Sequence, residues 1–177
     1  MDSVKAGVLG LLLVIAAWGD IKRHRIPNIL ILTGLVLAIL LGAWQAGFPG
    51  LLSAGGGFAL GLAAFLPFYL LRALGAGDVK LMAVVGGFLG PSGLPGAILG
   101  TFLAGGVMAL ALALHAGKLG QMLKNIKAML TNGMIDVSLK QMPIMEAGPQ
   151  SVGKLPYAVA IATGTLGFLV LRYIGWM

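Results

Sequence analysis

Residues 74–82 read LGAGDVKLM: an aspartate and a lysine set in a glycine-rich break between two apolar runs. What flanks this break decides the fold class. Before it, residues 51–71 are nearly all apolar; after it, apolar residues run on to Gly90. Of the 177 residues, 59% are hydrophobic and only 10% are charged. A soluble domain carries about a quarter charged residues. The chain therefore reads as all-α, a polytopic membrane protein forming one membrane-embedded domain over residues 1–177.

Six apolar segments stand out, at 4–19, 28–46, 51–71, 79–90, 94–115 and 156–175. Most approach the roughly 20 residues that cross a hydrocarbon core of about 30 Å. About six transmembrane helices are expected. Residues 4–19 resemble a signal peptide in outline, but more apolar segments follow instead of a polar mature domain, so they read as the first helix. The runs SAGGGFALGLAA and GTFLAGGVMALALA, with Gly57 and Gly61 in a GxxxG pair, supply the small residues that let membrane helices pack closely. The chain has no cysteine, which excludes disulfides, a thiolate nucleophile and a Cys-based zinc site.

The net charge of +7 sits between apolar segments, where membrane orientation explains it better than nucleic acid, and no nucleic-acid partner is expected. With the loop DIKRHRIPN in the cytoplasm, six crossings place Lys22, Arg23, Arg25, Arg72, Lys80, Lys118, Lys124, Lys127, Lys140 and Lys154 on that side. Only Lys5 and Arg172 fall on the other, a strong positive-inside bias. Both termini then face outward. Residues 117–155 form the long polar stretch, a cytoplasmic or interfacial loop. Within it Leu119, Met122, Leu123, Ile126, Met129 and Leu130 recur at helical spacing, predicting an amphipathic helix with its lysines toward anionic headgroups. Asn132-Gly133 is expected to break that helix.

Five acids are present, and two of them, Asp20 and Asp78, abut apolar segments on the same expected side. Helix lengths suggest depth. Residues 79–90 reach only about 18 Å and residues 4–19 about 24 Å, so both carboxylates are expected below the interface. Non-helical backbone such as GAG is tolerated there only where it is buried in protein or lines water. An ionisable group at that depth is a functional hypothesis by default. Two neighbouring carboxylates share a proton and act as acid and base on water. Asp78 opens a helix and Asp20 ends one, so the dipoles assign the base to Asp78 and the proton to Asp20. The alternative is a small proton-coupled transporter or channel with both aspartates as its relay. His24 reads as a solvated loop residue, His115 has no second ligand spaced with it, and Trp18, Trp44 and Trp176 read as interface anchors. No metal site is expected.

At GDIKRHRIPN, GAGDVKLM and KLPYAVAIATG the chain resembles the type IV prepilin peptidases, GxGD intramembrane aspartyl proteases, and most of all the short form serving Tad/Flp-type pili. The resemblance implies Asp20 and Asp78 as the catalytic pair. It implies that Gly75 and Gly77 give a substrate backbone room, that Pro27 and Asn28 shape the first loop, and that Lys80 supports the site. It implies pilin precursors as partners, cut after a basic leader at the cytoplasmic edge of a prokaryotic inner membrane, with no cofactor or metal. Longer members add a cytoplasmic region with paired CxxC motifs and methylate the new N-terminus. This chain begins at its first helix and has no cysteine, so N-methyltransferase activity is expected to be absent. The oligomeric state is not legible.

Overall fold

The computed structural model describes residues 2–138 and 155–175. It is all-helical: α1 (Ser3–Arg23), α2 (Asn28–Leu70), α3 (Ala76–His115), α4 (Leu119–Ser138) and α5 (Tyr157–Tyr173). Three of these, α1, α2 and α3, are long and apolar enough to cross a membrane, and α5 is a shorter apolar helix.

Both α2 and α3 bend back on themselves. Gly47 has non-helical angles (φ 59°, ψ −137°) and divides α2 into arms of residues 28–46 and 48–70. A Cβ on Gly42 would lie 2.9 Å from Gly50 O and 3.5 Å from Ala54 Cβ. In a straight helix residues eight apart are about 12 Å apart, so the arms form a hairpin. Gly90 (φ 71°) divides α3 in the same way. Phe102 beyond it stacks on Phe65, 5.6 Å between ring centres, one turn from Gly61, whose missing Cβ would meet Met82 O. Residues 82 and 102 would be about 30 Å apart in a straight helix. Pro49 and Pro91 open the second arms, where a missing N–H costs nothing. The six expected apolar segments therefore correspond to α1, four hairpin arms and α5.

The first arm of α3 is the centre. Every residue from Val79 to Gly90 is buried except Lys80. A helix apolar all round belongs inside, and glycines let its neighbours reach it. A Cβ on Gly57 would strike Gly86 O, and one on Gly61 would lie 2.6 Å from Met82 O. This is the packing role expected of the GxxxG pair. The second arm of α3 meets α5 in the same manner, Gly100 against Gly164 and Gly96 against the Phe168 ring. Helix α1 runs beside α5, with Leu166 over Gly10. Outward faces remain apolar, among them Leu11, Leu40, Leu60, Leu99 and Val107. Trp18 and Trp44 are exposed near helix ends, and Lys22 stacks over Trp18 at 4.6 Å.

Two expectations need correction. Helix α1 has 21 residues, about 31 Å at 1.5 Å each, so it is not short, and Asp20 lies in its last turn with Ile21–Arg23 still helical beyond it. Helix α4 runs through Asn132-Gly133 to Ser138 without a break. A helical glycine costs about 1 kcal/mol relative to alanine, too little to end a helix already running from Leu119. The remainder of the polar stretch, with Lys140, Glu146 and Lys154, lies outside the described residues, as does Trp176.

The glycine contacts make a sharp contrast testable. Gly57→Leu should destabilise the fold by about 1–3 kcal/mol or more through overpacking, seen as a lower unfolding midpoint in detergent. Gly55→Leu, whose Cβ meets nothing within 4 Å, should leave that midpoint within error.

Candidate active site

Asp20 and Asp78 come to the same end of the bundle by different routes. Asp20 is only 7% exposed, and its Oδ2 accepts the backbone N–H of Ala158 at 3.0 Å. Ala158 is in the first turn of α5, 138 residues away in sequence. Asp78 is half-buried in the first turn of α3, and its Oδ2 accepts the N–H of Gly75 at 3.1 Å. Asp20 lies within coulombic range of Asp78, and so does the Tyr157 phenol.

This arrangement changes the expected division of labour. The dipole assignment treated Asp20 as feeling only the C-terminal end of α1. Its carboxylate instead faces the N-terminal end of α5, where unpaired N–H groups point. Each aspartate accepts an amide N–H at the N-terminal end of a helix, Asp78 from the cap residue of α3 and Asp20 from the first turn of α5, so helix ends alone do not assign the proton to Asp20.

The first loop ties the two aspartates together. Helix α1 ends at His24, exposed and left-handed at φ 47°, whose N–H bonds Asp20 O at 2.8 Å. The chain then folds back over Gly19, where a Cβ would lie 3.7 Å from Arg25 O and 3.9 Å from Pro27 Cδ. Pro27 precedes α2 as its N-terminal cap residue. Ile26 rests on Gly77, in contact at 3.4 Å with the place of its missing Cβ. Asn28 opens α2, and its Oδ1 accepts a hydrogen bond from Lys80 Nζ at 3.1 Å. Lys80 therefore joins the start of α2 to the first turns of α3. Gly75 has ordinary backbone angles (φ −79°), so its value is space: a Cβ there would lie 3.1 Å from Asp78 Oδ2.

An aromatic cluster stands beside the carboxylates. Phe65 packs against Phe68, Phe102 and Tyr157 at 6.2, 5.6 and 6.4 Å between ring centres. Residue reading missed three members of this end: Ile26, Tyr157 and the N–H of Ala158. The signals were available in part. Ile26 is an isolated apolar residue in a basic loop, and KLPY marks the start of the last helix. The backbone donor leaves no trace in the sequence. Among the described residues, no three His, Asp or Glu side chains gather as a metal cluster.

The family model for the type IV leader peptidase family matches residues 7–110, which include both aspartates, the first loop and the LGAGDVKLM break. The chain belongs to the type IV leader peptidase family. That membership makes it a protease of a membrane-embedded family acting on prepilin leaders. No curated protein and no solved structure matches the chain. Helices α4 and α5 lie beyond the matched residues, so the Ala158 donor and Tyr157 belong to a part of this peptidase that the family match does not reach.

The Lys80–Asn28 bond yields a second test. A double-mutant cycle with Lys80→Met and Asn28→Ala should give a coupling energy below about 1 kcal/mol, because both partners are exposed. Purely additive effects on the unfolding midpoint would show that the bond does not contribute.

Proposed function

We propose that this chain is an aspartic endopeptidase of six membrane crossings that removes the leader from Tad/Flp-type prepilins at the cytoplasmic face. The observation that carries the reading is the meeting of Asp20 and Asp78 at one end of the bundle, each held by a backbone N–H. Their fixed geometry suits acid–base work on water. One carboxylate takes a proton from the water as its oxygen adds to the scissile carbonyl. The other donates a proton to the carbonyl oxygen; on collapse the first carboxyl passes its proton to the departing nitrogen as the C–N bond breaks, and the second takes back the hydroxyl proton. The net reaction consumes one water and leaves a leader carboxylate and a new pilin N-terminus.

Neighbouring residues fit such a substrate. The missing side chain of Gly75 lets its backbone lie against the Asp78 carboxylate, and its exposed position leaves that backbone open to an extended peptide. Phe68 and Phe102, backed by the buried Phe65, offer an apolar wall to the start of the pilin's apolar helix. The basic loop and the α4 lysines favour a membrane side rich in anionic headgroups. The family's protease activity favours this reading over a proton-coupled transporter. The chain has no cysteine for paired CxxC motifs, and we infer cleavage without methyl transfer.

Purified protein in liposomes, given a prepilin, should release leader and mature pilin of the expected masses. Asp20→Asn and Asp78→Asn should each lower cleavage by about 10²–10⁴-fold, the usual size of a general acid–base contribution, with the unfolding midpoint little changed. Retained cleavage in both variants overturns the assignment. With S-adenosylmethionine added, the mature pilin should gain no methyl mass. Gly75→Ala should slow cleavage more than it lowers stability, because the added methyl presses on the Asp78 carboxylate and not on the core.

A further inference from the structure

At the opposite end of the bundle, about 22 Å along α1 from Asp20, lies a cleft of about 240 Å³. Its lining brings together α1, both arms of α2, the first arm of α3 and α5. Lys5 and Arg172 both border it, with Gln45 and Ser53 between them. These are the two cations that the charge pattern assigns to the outer side, against the positive-inside bias. They come from the two ends of the chain and converge on one cavity.

Among the described residues neither Lys5 nor Arg172 has a carboxylate within ion-pair distance. No carboxylate lines the cleft. The nearby Asp2 is occupied: its Oδ2 accepts Gln45 Nε2 at 2.9 Å and its Oδ1 accepts Ser3 Oγ at 3.4 Å. Among the described side chains, with Asp2 counted, two positive charges face one negative. The guanidinium is held over Gly93, where a Cβ would lie 3.2 Å from Nη1. The Ser53 hydroxyl sits on the Gly90 bend, 2.5 Å from where a Cβ would stand. The arm 48–70 begins at this cleft, with Pro49 and Gly50 in its wall. A planar guanidinium, an ammonium and a hydroxyl suit the oxygens of a phosphate group.

We propose that this cleft binds a phosphate group carrying net negative charge, held by Lys5 and Arg172. The membrane source is an anionic phospholipid headgroup, and the soluble source is a free phosphate. A ligand here ties the N-terminal end of α1 to the C-terminal end of α5, the helix pair that meets again at the Asp20–Ala158 bond. It braces the bundle from the end remote from the aspartates.

Native mass spectrometry of the whole protein from detergent tests this. The probes are phosphatidylglycerol, phosphatidylcholine and inorganic phosphate, each added alone. Wild type should retain one phosphatidylglycerol in preference to phosphatidylcholine. Lys5→Gln and Arg172→Gln should each weaken retention by about tenfold or more, the size of one charge-assisted hydrogen bond. Lys5→Arg with Arg172→Lys should hold it, which separates charge from folding defects. Lys124→Gln with Lys127→Gln, an equal loss of charge on α4, should leave it unchanged. Retention of inorganic phosphate with the same dependence on Lys5 and Arg172 supports the site with a soluble occupant. Retention of neither, or retention indifferent to Lys5 and Arg172, overturns the proposal.

Discussion

The structure depends on how closely helical backbones approach the first arm of α3. Where helices are packed in lipid, burying apolar surface gives no drive toward association, because lipid tails are as apolar as leucine. Contact quality must supply it. Gly57 on Gly86 and Gly61 on Met82 bring backbone against backbone, and Gly100 on Gly164 repeats the device one layer out. A single Cβ at Gly57 or Gly86 is sterically incompatible with the present spacing. Everything else hangs from this central arm, including the carboxylate in its first turn.

From that packing the chemistry of the aspartate end follows. The central arm is buried to within a turn of its start, so Asp78 stands where the buried core meets the open end of the bundle. Antiparallel pairing of α1 with α5 brings the last turn of one to the first turn of the other, and the Ala158 N–H fixes Asp20 there. Each carboxylate accepts a backbone amide, Asp78 from Gly75 and Asp20 from Ala158. These amides cannot swing away as a lysine does. Such fixed dipoles are the preorganised kind that the proposed acid–base pair requires. The first loop completes the frame, with Ile26 on Gly77 and Asn28 joined to Lys80.

The hairpin bends serve both ends. Gly47 and Gly90 adopt positive φ angles that residues with a Cβ rarely take, and each is followed within two residues by a proline that starts the next arm. These turns return the chain toward the aspartates, so Phe102 reaches Phe65 and Tyr157 reaches Gly105. The same turns enclose the cationic cleft at the far end.

By itself the sequence determined the helical class, the six apolar segments and the family. Hydropathy, glycine content and the GxGD spacing are local properties, and they survive in a linear reading. The length of α1 was misjudged because Lys22 and Arg23 look like loop residues, although a helix end accommodates cations well. Only the tertiary structure decided which groups surround each carboxylate. The donor to Asp20 is a backbone amide 138 residues away, and every residue but proline carries one, so no side-chain pattern marks it. The convergence of Lys5 with Arg172 was equally invisible, because it follows from the antiparallel closure of the first helix against the last.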